Sequence, residues 1–396
     1  MRRQVLILAA SQAVFQTAAV LVATIGGLAG DAVAGRPEWA TLPFASMFLG
    51  TAIGTFPASN WMARVGRRAG FMLGAMLGLL GALVAAAGVW FGSLGLLSLG
   101  TLLFGFYQSF AQFYRFAASE IASDLFRPRA IALVLGGGIV AAFLGPELAQ
   151  LGGPLLGKTY VGSFLILAVV SLLGAGVLAL LRIPAPSGQP AVALEASRSW
   201  RQIVSQPGYL VALFAAATGY GVMILAMTAT PLAMICYHHP LTATAMVIQF
   251  HVLGMFLPSF FTGNLIARFG AVPVMLAGLA LLAGHVMASL TGTSLPSFVS
   301  ALILLGVGWN FLYIGGTALL TKTYRSEERS KAQATNDMTI FAIGLVCSLC
   351  AGWLQQAFSW QILNALLLPW LALTAVILLV FARKARLAQA SGRPAP

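Results

Sequence analysis

Hydrophobic and polar positions alternate along this chain at a scale of about two dozen residues. Long apolar stretches are broken by short gaps in which Gly, Pro and Arg collect. Dividing at those gaps yields twelve stretches, 5–30, 39–62, 70–92, 95–122, 129–152, 160–182, 208–235, 241–267, 271–292, 296–322, 330–355 and 359–382. A bilayer core about 30 Å thick takes roughly 20 apolar residues of helix, so each stretch predicts one crossing. Inside lipid a backbone amide finds no water, and a helix is the element that satisfies all of them within one segment.

The widest gap runs from Pro184-Ala185-Pro186-Ser187-Gly188-Gln189-Pro190 to Pro207 and has the composition of a linker. The predicted fold is therefore an all-α integral membrane protein of twelve transmembrane helices in two pseudo-symmetric six-helix bundles. Residues 1–183 form the first bundle, 184–207 a cytoplasmic linker, and 208–396 the second bundle with a short cytoplasmic tail. A repeat supports the division. The hinge Ser59-Asn60-Trp61-Met62-Ala63-Arg64-Val65-Gly66-Arg67-Arg68 returns as Gly263-Asn264-Leu265-Ile266-Ala267-Arg268-Phe269-Gly270. Likewise the basic loop Phe126-Arg127-Pro128-Arg129-Ala130 has a counterpart in Tyr324-Arg325 through Lys331-Ala332. Two parallel halves joined by a linker form the arrangement from which alternating access by rocking is built, with a site between the halves.

Composition agrees with the pattern. The chain is 59% hydrophobic and 8% charged with a mean hydropathy of +0.92, where a soluble domain carries about a quarter charged residues. A net charge of +13 would suggest nucleic acid in a soluble protein, but the basic residues form no face and no aromatic-interleaved patch. They sit in the gaps. Counted by alternate gaps, nineteen of the 22 Lys and Arg fall on one side and two, Arg36 and Lys158, on the other; Arg115 lies within the fourth stretch. That bias places both termini and the linker in the cytoplasm of a bacterial inner membrane. The first apolar run, about 25 residues from Val5, exceeds the 7–15 of a signal peptide and predicts a retained helix.

Little suggests an enzyme or a cofactor. Cys236, Cys347 and Cys350 lie in apolar stretches, so no disulfide framework is implied. Cys347 and Cys350 spell CxxC, a spacing that on a membrane helix reads as small packing residues. His238 and His239 have no third ligand, so no metal site is expected. Gly136-Gly137-Gly138 follows no strand and lacks the Lys-Ser/Thr of a phosphate loop.

The hinge resembles the signature of the major facilitator superfamily of secondary transporters, close to G-x-x-x-D-R-x-G-R-R. Arg64, Gly66, Arg67 and Arg68 match it, and Gly263, Arg268 and Gly270 match its second copy. The resemblance covers nearly the whole chain. Two positions depart: the family's Asp is Ala63 here and Ala267 in the second copy, and its leading Gly is Ser59. In that family the Asp pairs with nearby arginines to hold the outward-open state, so Glu120 or Asp124 is expected to supply a carboxylate to Arg64 or Arg67. Tyr114-Arg115-Phe116-Ala117-Ala118-Ser119-Glu120, His251 through Gly263, and Gly315-Gly316-Thr317-Ala318-Leu319-Leu320-Thr321 resemble a narrower bacterial branch. That branch contains permeases and a proposed riboflavin uptake group.

Charges within a crossing cost several kcal/mol unless paired or watered, so each is a site candidate. Arg115 lies about seven residues from the cytoplasmic end of its helix, the depth that Asp337, beside Asn336, occupies in the eleventh. An ion pair between them would make a gate; alternatively Arg115 holds an anionic substrate group or extends to the interface. Glu147, after Gly145-Pro146, is either a proton carrier or an interface carboxylate, and its surroundings partly resemble a motif of drug/proton antiporters. His251 reads as a proton site or a packing residue. The resemblance implies that helices 1, 4, 7 and 10 line the cavity. They carry Gln12, Phe15, Gln16 and Thr17; Tyr107, Gln108, Gln112 and Phe113; Tyr220 and Met223; and Trp309, Asn310 and Tyr313. Amides with flat aromatic faces suit a planar hydrogen-bonding heterocycle.

The expected function is alternating-access transport of a small organic solute by a monomer in contact with lipid, driven by protons or by the solute's own gradient. Uptake of a heterocycle such as riboflavin is the sharper form. The alternatives are proton-coupled efflux of drugs or metabolites, and a non-transporting membrane sensor or scaffold.

Overall fold

The computed structural model describes residues 2–34, 39, 42–152, 155–183 and 198–390. Arg36, Arg393 and linker positions 184–197 lie outside them. The described chain is helical: α1 (Arg2–Ala34), α2 (Leu42–Val65), α3 (Arg67–Phe91), α4 (Leu94–Ala111), α5 (Tyr114–Ile121), α6 (Arg127–Gly136), α7 (Ile139–Gly152), α8 (Val161–Ala179), α9 (Trp200–Val204), α10 (Pro207–Cys236), α11 (Leu241–Phe256), α12 (Ser259–Phe269), α13 (Ala271–Leu290), α14 (Leu295–Leu320), α15 (Arg329–Ala357), α16 (Trp360–Ala365) and α17 (Leu367–Ala390).

Each predicted stretch coincides with one of these helices or with a broken pair. Among the described residues eleven spans are long and apolar enough to cross a membrane. The remaining stretch is α2, 24 residues long but diluted by Ser46, Thr51, Thr55, Pro57, Ser59 and Asn60. Its threonines are satisfied locally, Thr51 donating to the Met47 carbonyl at 2.9 Å and Thr55 to that of Thr51 at 2.7 Å. A hydroxyl that bonds one turn back is tolerated in an apolar setting.

Four stretches are interrupted, between α4 and α5, α6 and α7, α11 and α12, and α16 and α17. The break at Pro258 follows from its missing N–H and the clash of its ring with the preceding turn. A side chain repairs it: the Asn310 amide donates to the Met255 carbonyl at 2.6 Å and to Ser259 Oγ at 2.7 Å, and its oxygen accepts from Thr262 at 2.7 Å.

The described chain forms two compact units. One comprises Met1–Ser123, Leu133–Glu195 and Gln333–Phe341; the other comprises Asp124–Ala132, Ala196–Ala332 and Ala342–Pro396. In the first, α4 packs between α2 and α3, and α8 lies along α3. Lipid tails are as apolar as the side chains, so helices associate through close packing more than through hydrophobic exclusion. A Cβ on Gly50 would stand 2.2 Å from the Leu102 carbonyl, and one on Gly105 would stand 2.2 Å from that of Met47, so α2 and α4 meet backbone to backbone. Phe15, Phe104 and Tyr107 fill the adjoining core, with Tyr107 edge-on to Phe15 at 5.1 Å. In the second unit α14 takes the corresponding place, packed by α10, α11 and α13.

The repeat seen in the sequence is also a repeat of conformation. Gly66 has φ 93 and ψ 159, and Gly270 has φ 88 and ψ 165. Each joins two helices at a backbone setting that a side chain disfavours.

Candidate functional site

Arg115 enters the first unit through the break that ends α4. The Phe113 N–H bonds to the Phe110 carbonyl at 3.1 Å, a tightened turn, and α5 restarts at Tyr114, whose ring meets Phe71 edge-on at 4.7 Å. Arg115 then lies buried at 1% exposure and Asp337, from α15, at 0%, their Nη2 and Oδ1 atoms 2.5 Å apart. Arg115 Nη1 donates to Gln112 Oε1 at 3.0 Å, its guanidinium lies 4.6 Å from the Phe116 ring centroid, and Asn336 donates to the same Asp337 oxygen at 2.8 Å. Desolvating two charges is costly, and a pair persists in an apolar interior only with such added bonds.

A second layer lies one turn of α15 away. Gln333, four residues before Asp337, accepts from Arg67 Nη2 at 2.8 Å, and Glu120 accepts from the same guanidinium at 2.6 and 3.4 Å. Gln333 also donates to Glu120 at 3.3 Å, and Arg67 stands 5.3 Å from the Phe113 ring. Glu120 thus gives Arg67 the carboxylate that Ala63 lacks. Arg64 is exposed; Arg68, also exposed, donates to the Ala179 carbonyl at 2.8 Å. Asp124 pairs with Arg127 at 2.7 Å in the second unit, as an exposed contact of the kind that contributes little. Arg268 is exposed and lies over Phe269 at 5.2 Å. Gln333 escaped the sequence reading, although its place one turn from Asp337 marks it.

The amides and aromatics separate into two groups. In the first unit Gln12 donates to Gln16 at 3.3 Å beside the Phe15 and Tyr107 cluster, and Gln108 is buried one turn before Gln112. In the second, Trp309 stacks on Tyr313 at 4.9 Å and 16°, Tyr313 meets Tyr220 at 6.1 Å, and Phe256 stands edge-on to Trp309 at 6.0 Å. Asn310 leaves this group, because the helix turns it toward the Pro258 break.

His251 is fully buried, with Nδ1 2.9 Å from the Leu302 carbonyl. A carbonyl only accepts, so Nδ1 carries a hydrogen in this contact. His285, absent from the sequence candidates, is likewise buried between the Ala301 carbonyl and Asn364 Oδ1, each at 2.9 Å. Glu147 is exposed on α7. Outside the crossings, Arg198 embraces the buried Glu328 with contacts of 2.7 and 2.6 Å, and the Arg325 N–H adds one at 2.9 Å. The Arg198 guanidinium pulls the Glu328 carboxyl from its ordinary 4.5 down to about 2, and Glu328 holds the Arg198 value up in return. No group of three His, Cys, Asp or Glu side chains among the described residues is placed to hold a metal.

The Major Facilitator Superfamily model matches residues 226–395. The riboflavin transporter RfnT of Brucella anthropi is 40% identical over 380 residues, covering 96% of each chain. The chain belongs to the major facilitator superfamily. The uncharacterized transporter YdeG of Bacillus subtilis, of the same superfamily, is 30% identical to it over 368 residues, 87% of this chain and 86% of the relative. Among solved structures, the superfamily transporter FucP in its outward conformation superposes with a TM-score of 0.74 at 16% identity, over 96% of this chain and 97% of that one; this likeness bears on the fold alone. The protein is a membrane-spanning secondary transporter of a small solute.

Proposed function

We propose that this transporter takes up riboflavin, or a close flavin, across a bacterial inner membrane with both termini in the cytoplasm. The observation that carries the reading is identity to a riboflavin transporter at 40% along 96% of the chain. The stacked Trp309 and Tyr313 rings with Tyr220 beside them, in one unit, offer flat faces suited to an isoalloxazine, and Gln12, Gln16, Gln108 and Gln112, in the other, are the amide candidates for a ligand's polar groups. Residues 1–183 and 208–396 act in this reading as the two halves of an alternating-access cycle, driven by a proton or by the flavin's own gradient. Arg115 with Asp337, and Arg67 with Gln333, are the contacts made in one state and released in the other.

The test is uptake of labelled riboflavin into riboflavin-auxotrophic bacteria that express the chain, with growth on low riboflavin as a second readout. Uptake that falls at least tenfold on Trp309→Ala, with the protein still in the membrane, supports the reading. Absence of uptake by the folded wild type refutes it, and thermal stabilisation by cationic drugs alone would point to efflux instead.

A further inference from the structure

We propose that Asp337 and Gln108 form an acceptor subsite for the hydroxyl chain of the ligand, and that it selects an uncharged, donor-rich substrate against an anionic one. This rests on the flavin reading above. Asp337 is fully buried and Gln108 is 7% exposed, yet Asp337 Oδ2 and Gln108 Oε1 have no hydrogen-bond partner. A buried carboxylate oxygen without a donor is costly, so both atoms call for a group that donates.

The two residues are linked through Gln112 and Arg115. Gln108 and Gln112 are one turn apart, Gln112 accepts from Arg115, and Arg115 holds the other oxygen of Asp337. The Arg115 and Asp337 charges therefore offset one another, with both Nη atoms of the guanidinium already bonded, to Gln112 and to Asp337. A phosphate or carboxylate arriving there would meet two acceptors and a cation whose terminal nitrogens are taken. Hydroxyls would meet acceptors that need them. Of the parts of a flavin, the ribityl chain is the one that supplies several hydroxyl donors. An isoalloxazine without that chain cannot satisfy the subsite, and a phosphate at its end adds charge where a carboxylate already lies.

Three ligands separate the possibilities: riboflavin, lumichrome, which lacks the chain, and flavin mononucleotide. Binding is read by quenching of flavin fluorescence on the full-length protein in detergent. Wild type should bind riboflavin at least about tenfold more tightly than either of the others, a floor well below the discrimination that a site built for hydroxyls can reach. Gln108→Met, which leaves the Arg115 and Asp337 pair in place, should reduce the riboflavin preference over lumichrome severalfold, and Asp337→Asn should do the same while weakening the exclusion of flavin mononucleotide. Binding of lumichrome within threefold of riboflavin by wild type overturns the subsite while leaving flavin transport standing. Failure of wild type to bind any of the three overturns the flavin reading itself. The ligand series on wild type needs no variant to fold.

Discussion

Removing one partner of the Arg115 and Asp337 pair should unsettle the first unit far more than removing both. At an effective dielectric constant near 20, unit charges about 4 Å apart attract by about 4 kcal/mol. Truncating one member of a buried pair typically costs about 3–5 kcal/mol, because the survivor is left charged in an apolar interior. Arg115 and Asp337 are 1% and 0% exposed, so water offers neither much relief. With an unfolding entropy of ~2.1 cal/mol/K per residue over 396 residues, a loss of about 4 kcal/mol lowers Tm by about 5 °C. Arg115→Met and Asp337→Leu should each show that drop in detergent, followed by intrinsic tryptophan fluorescence. The double variant should recover most of it, since a buried ion pair replaced by apolar groups of similar volume is often neutral. Transport should stay lost in the double variant, where the contact can no longer be made and released. Additive losses, with a coupling energy near zero, would refute the argument that this pair anchors residues 333–341 to α5.

The Glu328 carboxyl is held at about 2 against an ordinary 4.5, so its stabilisation is complete above pH 4.5 and is lost as pH falls through 2. Its full worth, discounted for the partly exposed Arg198, is about 2 kcal/mol; Glu328→Gln should lower Tm at pH 7 and flatten its fall between pH 4.5 and 2, whereas parallel wild-type and variant curves would count against the pair. Asn310→Ala strips the Met255 carbonyl, Ser259 and Thr262 of their partner at the Pro258 break and should cost about 1–3 kcal/mol, seen as a lower Tm; an unchanged Tm would mean that the break satisfies itself. Gly66→Ala and Gly270→Ala each force a side chain onto φ near 90 and should cost about 1–3 kcal/mol apiece, read as reduced membrane yield and Tm. Similar penalties at both positions are expected, and a neutral substitution at either would break the equivalence of the two hinges.

The comparison of sequence with structure turns on which forces are local. Where the chain crosses a membrane was legible because lipid obliges each crossing to close its own backbone hydrogen bonds, and that demand is written as length and apolarity. The duplication was legible for the same reason, since Gly66 and Gly270 answer one backbone requirement twice. The partnership of Arg115 with Asp337 was one of three readings that their matched depth left open, beside an anionic substrate group and extension to the interface, and packing chose it.

What the sequence did not contain was direction around each helix. Trp309 and Asn310 are neighbours, yet one stacks on Tyr313 and the other repairs a break in another helix, a choice made by what packs on each side of α14. The motif offered Glu120 two partners, Arg64 and Arg67; the fold delivered Arg67 to it, and α15 added Gln333 as a third member. The membership of Gln333–Phe341 in the first unit was equally invisible in hydropathy, because an apolar pattern specifies that a helix is buried and leaves open which neighbours bury it. Lipid fixes how far each segment runs; close packing of side chains fixes which of them meet.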